Sequence, residues 1–287
     1  MVRKILAKSY IYLILLLMYL PILVLIAFSF SVNQTIGEGY TFGWDLWANL
    51  FDPSTKISQE IWTALGNTLI IAVISAIVAT ILGTMGAIGA FYSKRRAQKA
   101  IELSTQIPVS NPEIVMALSL VIMFVFLGEH VFRTNMFSMW TLLIGHIILG
   151  LPFVYLSVKP KLIQMDPFLY EAALDLGCTP SRALTKVVFP QIMPGVFSGF
   201  LLSITLSLDD FIVTAFTRGP GLLSGNKNIE TLSTLIQAKI KKGAIPAEMR
   251  PLTLIIFVTV LAIAIGITIF RNKDANKAKE RKGRANA

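Results

Sequence analysis

An all-α integral membrane protein with six transmembrane helices is the fold class the sequence predicts, and three observations predict it. Of 287 residues, 54% are hydrophobic and only 15% charged, with a mean hydropathy of +0.68; soluble domains of this length are not so apolar. Six apolar runs can each cross a bilayer: roughly 10–30, 63–91, 113–127, 139–157, 195–216 and 251–270. The third is the shortest against the requirement of about 20 apolar residues. Finally, 18 of the 26 Lys and Arg residues flank the runs on one side. By the positive-inside rule that side is cytoplasmic, and with six spans both termini share it. The net charge of +10 therefore reports topology, and basic residues scattered beside spans speak against a nucleic-acid partner.

Residues 1–62 are predicted to form the first transmembrane helix and an external loop. The basic start (Arg3, Lys4, Lys8) is followed by a long apolar run without a small-residue cleavage site, so the helix is read as retained, not as a removed signal. Pro21 is tolerable in a membrane helix, with a kink. Outside, Gly37, Gly39 and Gly43 break the chain, and Trp44, Trp47 and Trp62 stand where interfacial aromatics belong. A short surface helix is expected over 44–51.

Residues 63–270 are predicted to form a core of five further helices. The second run carries Ala79, Gly83, Gly86, Ala87 and Ala90, a small-residue face that lets helix backbones approach closely; packing within the chain is preferred to a dimer seam. After Lys94, Arg95 and Arg96 a cytoplasmic or interfacial helix is expected to end near Pro108. Glu113 opens the third span in the first helical turn, where the dipole favours a carboxylate, and that role is preferred to a transport role. His146 is read as an interior hydrogen-bonding residue. The other histidine, His130, lies outside and no Cys/His cluster exists, so no metal site is expected.

Between the fourth and fifth runs, residues 159–194 read as helix, tight turn, helix, too short and polar to span. Asp166 is a good N-cap and Pro167 suits the first helical position. Gly177 supplies a left-handed stop after Leu176. Thr179 and Pro180 repeat the start, and Pro190 is expected to limit the second helix. Phe168, Ala172 and Leu176 share one stripe. On these residues alone two readings stay open: an amphipathic hairpin that ties two spans together, or a built docking element. The single cysteine, Cys178, excludes an intrachain disulfide and reads as a small packed residue.

The fifth run contains Asp209 and Asp210, each carboxylate costing roughly 2.5–3.5 kcal/mol at the membrane centre on insertion scales. Read as neighbours on one continuous helix, they point about 100° apart. One is expected to line a polar cavity and the other to sit at a helix or subunit seam. A pair hydrogen-bonded into the bundle for structure alone is the competing reading. Residues 221–250 form a basic outer stretch, with helical propensity over 229–240. Residues 271–287 are a basic cytoplasmic tail suited to anionic lipid. No phosphate-cradling Gly-rich loop occurs, nor any Ser/His/Asp constellation, so no catalytic residue is assigned.

Glu171-Ala172-Ala173, then Gly177, then Val187-Val-Phe-Pro190 resembles the EAA loop of ABC importer permeases. That resemblance implies a type I importer permease with six transmembrane helices, whose cytoplasmic coupling hairpin docks on an ATPase. It implies ATPase-coupling roles for Glu171, Ala172, Ala173, Gly177, Arg182 and Pro190. Leu151-Pro-Phe-Val154, Leu206-Ser-Leu-Asp-Asp210, Thr217-Arg-Gly-Pro220 and Asn111-Pro-Glu113 are similar to permeases of bacterial spermidine/putrescine importers. This implies polyamine cargo, a substrate path at Asp209 and Asp210, and a multi-pass place in the bacterial inner membrane. The implied partners are two ABC ATPase copies, a second homologous permease and an extracytoplasmic polyamine-binding protein. ATP-Mg would be held by the ATPase, with no cofactor in this chain. The basic stretch 221–250 departs from the pattern and disfavours a cationic cargo. A permease for iron or another solute, and a stand-alone secondary cation transporter, remain as alternatives.

Overall fold

A computed structural model of the chain describes residues 2–33, 39–134, 136–218, 229–241 and 246–261. They form α1 (Val2–Ser29), α2 (Asp45–Phe51), α3 (Lys56–Phe91), α4 (Arg95–Ser110), α5 (Glu113–Phe126), α6 (Met139–Gln164), α7 (Phe168–Asp175), α8 (Pro180–Ala183), α9 (Phe189–Asp209) and α10 (Ile212–Thr217). Two more follow, α11 (Leu232–Lys241) and α12 (Met249–Leu261). π-helical turns extend α5 (Leu127–Phe132) and join α8 to α9 (Leu184–Val188).

Five helical runs are long and apolar enough to cross a membrane: Ser9–Ser29, Lys56–Phe91, Glu113–Phe132, Met139–Gln164 and Pro180–Asp209. The shorter α12 is also apolar, and the rest of the sixth predicted span lies outside the described residues. Two boundaries differ from expectation for one reason: hydropathy marks the bilayer's limits, whereas helices continue wherever their backbone can. Thus α3 begins at Lys56, about two turns before the apolar run. The third span gains its π-helical turn and reaches 20 residues. It stops where Arg133 turns left-handed at φ +52° and Thr134 N–H reaches back to the Gly128 carbonyl at 3.0 Å. The expected surface helices appear as α2 and α11.

The chain divides into two units. One holds the described residues up to Ile61 together with those from Lys239 on. Its loop is pinned by Phe30, which stacks on Trp47 at 5.6 Å and meets Trp44 edge-on. Two basic residues of the 221–250 stretch are used internally there. Lys239 pairs with Glu60 at 2.6 Å, and Arg250 donates to the Asn33 carbonyl.

The second unit, Trp62–Ala238, is built on α6. Val154, fully buried, lies between α3 and α9. A Cβ on Gly83 would come within 2.8 Å of the Val154 side chain, and one on Gly199 within 2.9 Å of its Cα. Both neighbours therefore have to be glycine for the helices to close. Ala79, Ala87 and Ala90 are buried beside them, so the small-residue face of α3 packs within the chain as expected except at Gly86, where a Cβ would meet nothing within 4 Å. Below this seam Tyr155, Val158, Leu162, Val188 and Ile192 form an apolar core. A second core joins Ala117, Leu120 and Phe124 of α5 to Leu149 and Val213.

Candidate functional site

Two places hold the residues singled out by sequence. The first is the hairpin between α6 and α9. Asp166 Oδ1 accepts from the Phe168 N–H at 3.0 Å, and Pro167 already has helical dihedrals. At the other end of α7, Cys178 N–H bonds the Ala173 carbonyl (3.0 Å) and Gly177 N–H the Leu174 carbonyl (2.9 Å). That pair of bonds is a Schellman stop, and Gly177 sits at φ +85°, where a side chain is strained. Pro180 starts α8.

Pro190 does not end the second helix; the run continues from Pro180 to Asp209. The π-helical turn Leu184–Val188 explains the difference. There the ladder is already widened, with the Phe189 N–H bonded five residues back to the Leu184 carbonyl, and Pro190 follows directly inside the continuous run.

The hairpin is seated by one face only. Ala173 is buried, Leu169 and Tyr170 pack on the core beneath α6, and Tyr170 meets Tyr92 at 4.9 Å. The opposite stripe points away: Phe168 is 69% exposed and Leu176 87%. Glu171, Ala172, Gly177, Arg182 and Pro190 are exposed as well. Beside the hairpin, Lys159 of α6 bonds Glu102 of α4 at 2.7 Å, and that hydrogen bond holds the Glu102 carboxyl below its usual range.

The second place is the end of α9. The fifth span was expected to carry Asp209 and Asp210 within one continuous helix. Instead α9 stops at Asp209, and Asp210 is extended at φ −64°, ψ 126°. The cause is Asp210 itself. Its carboxylate accepts the N–H groups of Val213 (3.0 Å) and Thr214 (2.7 Å) and the Thr214 hydroxyl (2.9 Å), so it caps α10 and rewards a broken helix. Asp210 is 5% exposed, whereas its neighbour Asp209 is exposed.

His146 closes this network and is buried. Its Nε2 lies 2.9 Å from Thr214 Oγ1 and its Nδ1 2.8 Å from Ser207 Oγ, while Ser207 lies 3.4 Å from Ser75 of α3. Among the described residues no group of three His, Cys, Asp or Glu side chains could hold a metal. Glu113, read from sequence as a helix-start carboxylate, opens α5 as expected. It also lies within electrostatic range of Asp210 and Asp209.

Residues 79–275 match the family model described as "Binding-protein-dependent transport system inner membrane component". A spermidine/putrescine transport system permease protein, PotC, of Haemophilus influenzae is 32% identical over 233 residues, 81% of this chain and 83% of that protein. PotC of Escherichia coli is 31% identical over 75% of this chain and 77% of its own length. The putrescine permease PotI of Escherichia coli is 29% identical over 79% of this chain and 76% of its own. Among solved structures, a bacterial ABC transporter that imports alginate aligns with a TM-score of 0.70 at 14% identity, over 94% of this chain and 96% of that one.

Proposed function

The chain belongs to the family of binding-protein-dependent transport system inner membrane components, and from that premise we propose that it admits polyamines, spermidine or putrescine, through the inner membrane. It is the non-catalytic permease subunit of an ABC importer; ATP hydrolysis belongs to a separate ATPase. The proposed assembly adds a second homologous permease, two ATPase copies holding ATP-Mg and an extracytoplasmic polyamine-binding protein. Both termini lie in the cytoplasm, with the basic flanks of the spans against anionic lipid.

The observation that carries the coupling role is the exposed stripe Phe168–Ala172–Leu176, displayed on a hairpin whose other face is fixed to the core. Large apolar side chains left open on a polar connection mark a protein contact. Glu171, Arg182 and the rigid Gly177 turn give that contact charge and shape, while Ala173 and the Pro190 segment seat it. Closure of the ATPases draws the hairpins together, and the seated face passes the displacement to α6 and α9 as a rigid-body rotation.

On the cargo side, Asp209 is the exposed carboxylate of the pair and offers negative charge to a cation within the membrane. Asp210 sets the backbone that presents Asp209. The Lys239–Glu60 ion pair neutralises part of the outer positive charge that disfavours a cationic cargo.

Reconstitution tests the reading. The complete complex in proteoliposomes is expected to accumulate radiolabelled spermidine or putrescine only with ATP and the binding protein. A binding protein that takes neither polyamine overturns the cargo. Cation flux through this chain alone, without ATP, overturns the importer mechanism in favour of a secondary transporter.

A further inference from the structure

We propose that His146 is a positioning residue for transport: its imidazole ties together the two sides of the α9–α10 break and thereby fixes where the Asp209 carboxylate stands. The inference rests on the reading of Asp209 as a cargo-facing group.

The break needs an external tie. At Asp210 the backbone leaves the helical path, and the amides of Val213 and Thr214 are taken by a side chain instead of the preceding turn. His146 reaches Ser207 on α9, two residues before Asp209, and Thr214 on α10. The directions of these bonds follow from the Thr214 hydroxyl, whose hydrogen goes to Asp210 Oδ2. Its oxygen is left to accept from Nε2–H, so Nδ1 accepts from the Ser207 hydroxyl. A neutral imidazole offers a donor and an acceptor on opposite edges of one rigid ring, as the two sides of the break require.

The same stretch of α6 holds α10 at two more points. A Cβ on Gly145 would come within 2.8 Å of Val213 Cγ1, and Thr141 Oγ1 donates to the Thr217 carbonyl at 3.0 Å. Ser233 Oγ donates to the Asp210 carbonyl at 2.9 Å. The break is thus a braced joint, with His146 the one member that grips both sides through its side chain.

The test measures polyamine uptake and ATP hydrolysis by the whole complex in proteoliposomes with its binding protein. His146→Ala, at normal membrane level, is expected to slow spermidine uptake about tenfold while ATP hydrolysis persists, and His146→Gln, which keeps a donor toward Thr214, to recover to within about threefold of wild type. Because His146 acts through Asp209, Asp209→Asn added to His146→Ala is expected to slow uptake by less than about twofold further. Wild-type uptake by His146→Ala overturns the proposal, as do losses that multiply in the double variant. If His146→Ala does not reach the membrane, Ser207→Ala and Thr214→Val each cut one arm and are judged by the same results. Wild-type uptake by Asp209→Asn alone would instead remove the cargo-facing reading on which the proposal stands.

Discussion

The hairpin and the α9–α10 break are both short interruptions beside the fifth span, each begun by a local aspartate cap, yet they are held in different ways. The hairpin takes its shape from its own sequence. Asp166 caps it, Gly177 turns it and Pro180 restarts it, each within a few residues of what it controls. Its apolar residues are divided, Ala173 inward and Phe168 and Leu176 outward. The break begins with a local cap, Asp210 on the amides of Val213 and Thr214, but it is held from a distance: His146, more than sixty residues earlier, ties Ser207 to Thr214, and Ser207 lies 3.4 Å from Ser75 of α3. A locally written turn is stiff by itself and can carry force from another subunit. A joint written in long-range polar contacts is stiff only while its neighbours stay in place, which suits a site whose surroundings rearrange during transport.

This contrast predicts unequal effects. The largest is expected at Gly177, where Gly177→Leu forces a branched side chain into φ +85°. Uptake should be lost by more than about tenfold while the binding protein still loads its ligand, because the turn needs positive φ. Normal uptake at normal membrane level would break the claim that the hairpin's shape is locally dictated.

A smaller effect belongs to Asp210. Asp210→Ala removes the acceptor for two amides and a hydroxyl, and should destabilise the purified protein by about 0.5–2 kcal/mol, the usual worth of a cap. Asp210→Asn keeps one acceptor oxygen and should cost less. Equal thermal stability of all three forms in detergent would show that the break does not depend on its cap.

The smallest is the Lys159–Glu102 pair that ties α4 to α6. The Glu102 carboxyl is held below its ordinary value by Lys159, so the folded form binds this proton less readily than the unfolded one. The pair's contribution is therefore complete above the unfolded Glu value of about 4.3 and disappears as pH falls through the lower folded value. The melting temperatures of wild type and Glu102→Gln should differ slightly at neutral pH and converge in acid. A difference that grows in acid would have the sign wrong.

The same contrast explains what the sequence made legible. Hydropathy located the five described spans because the bilayer acts on every residue of a run. The hairpin was readable because caps and stops are local, and only its Pro190 boundary misled. A π-helical turn lets a proline stand inside a helical run and has no residue signature of its own. The break at Asp210 was missed although an aspartate prefers to cap a helix, a preference read correctly at Asp166. Inside an apolar run the same residue was taken for a charge within a span. The union of His146 with Ser207 and Thr214 was beyond local reading, since helix packing alone brings those positions together.

The account stands most directly on what the exposed stripe of α7 touches. With Cys178→Ser to remove the native thiol, Ala172→Cys places a reactive group in the middle of that stripe. A short bifunctional cross-linker applied to membranes that carry the whole transporter is expected to join this chain to the ATPase subunit, in a yield that changes when ATP is bound. Capture of no ATPase, with the cysteine fully reactive and the transporter active, would contradict the hairpin's role as the coupling element.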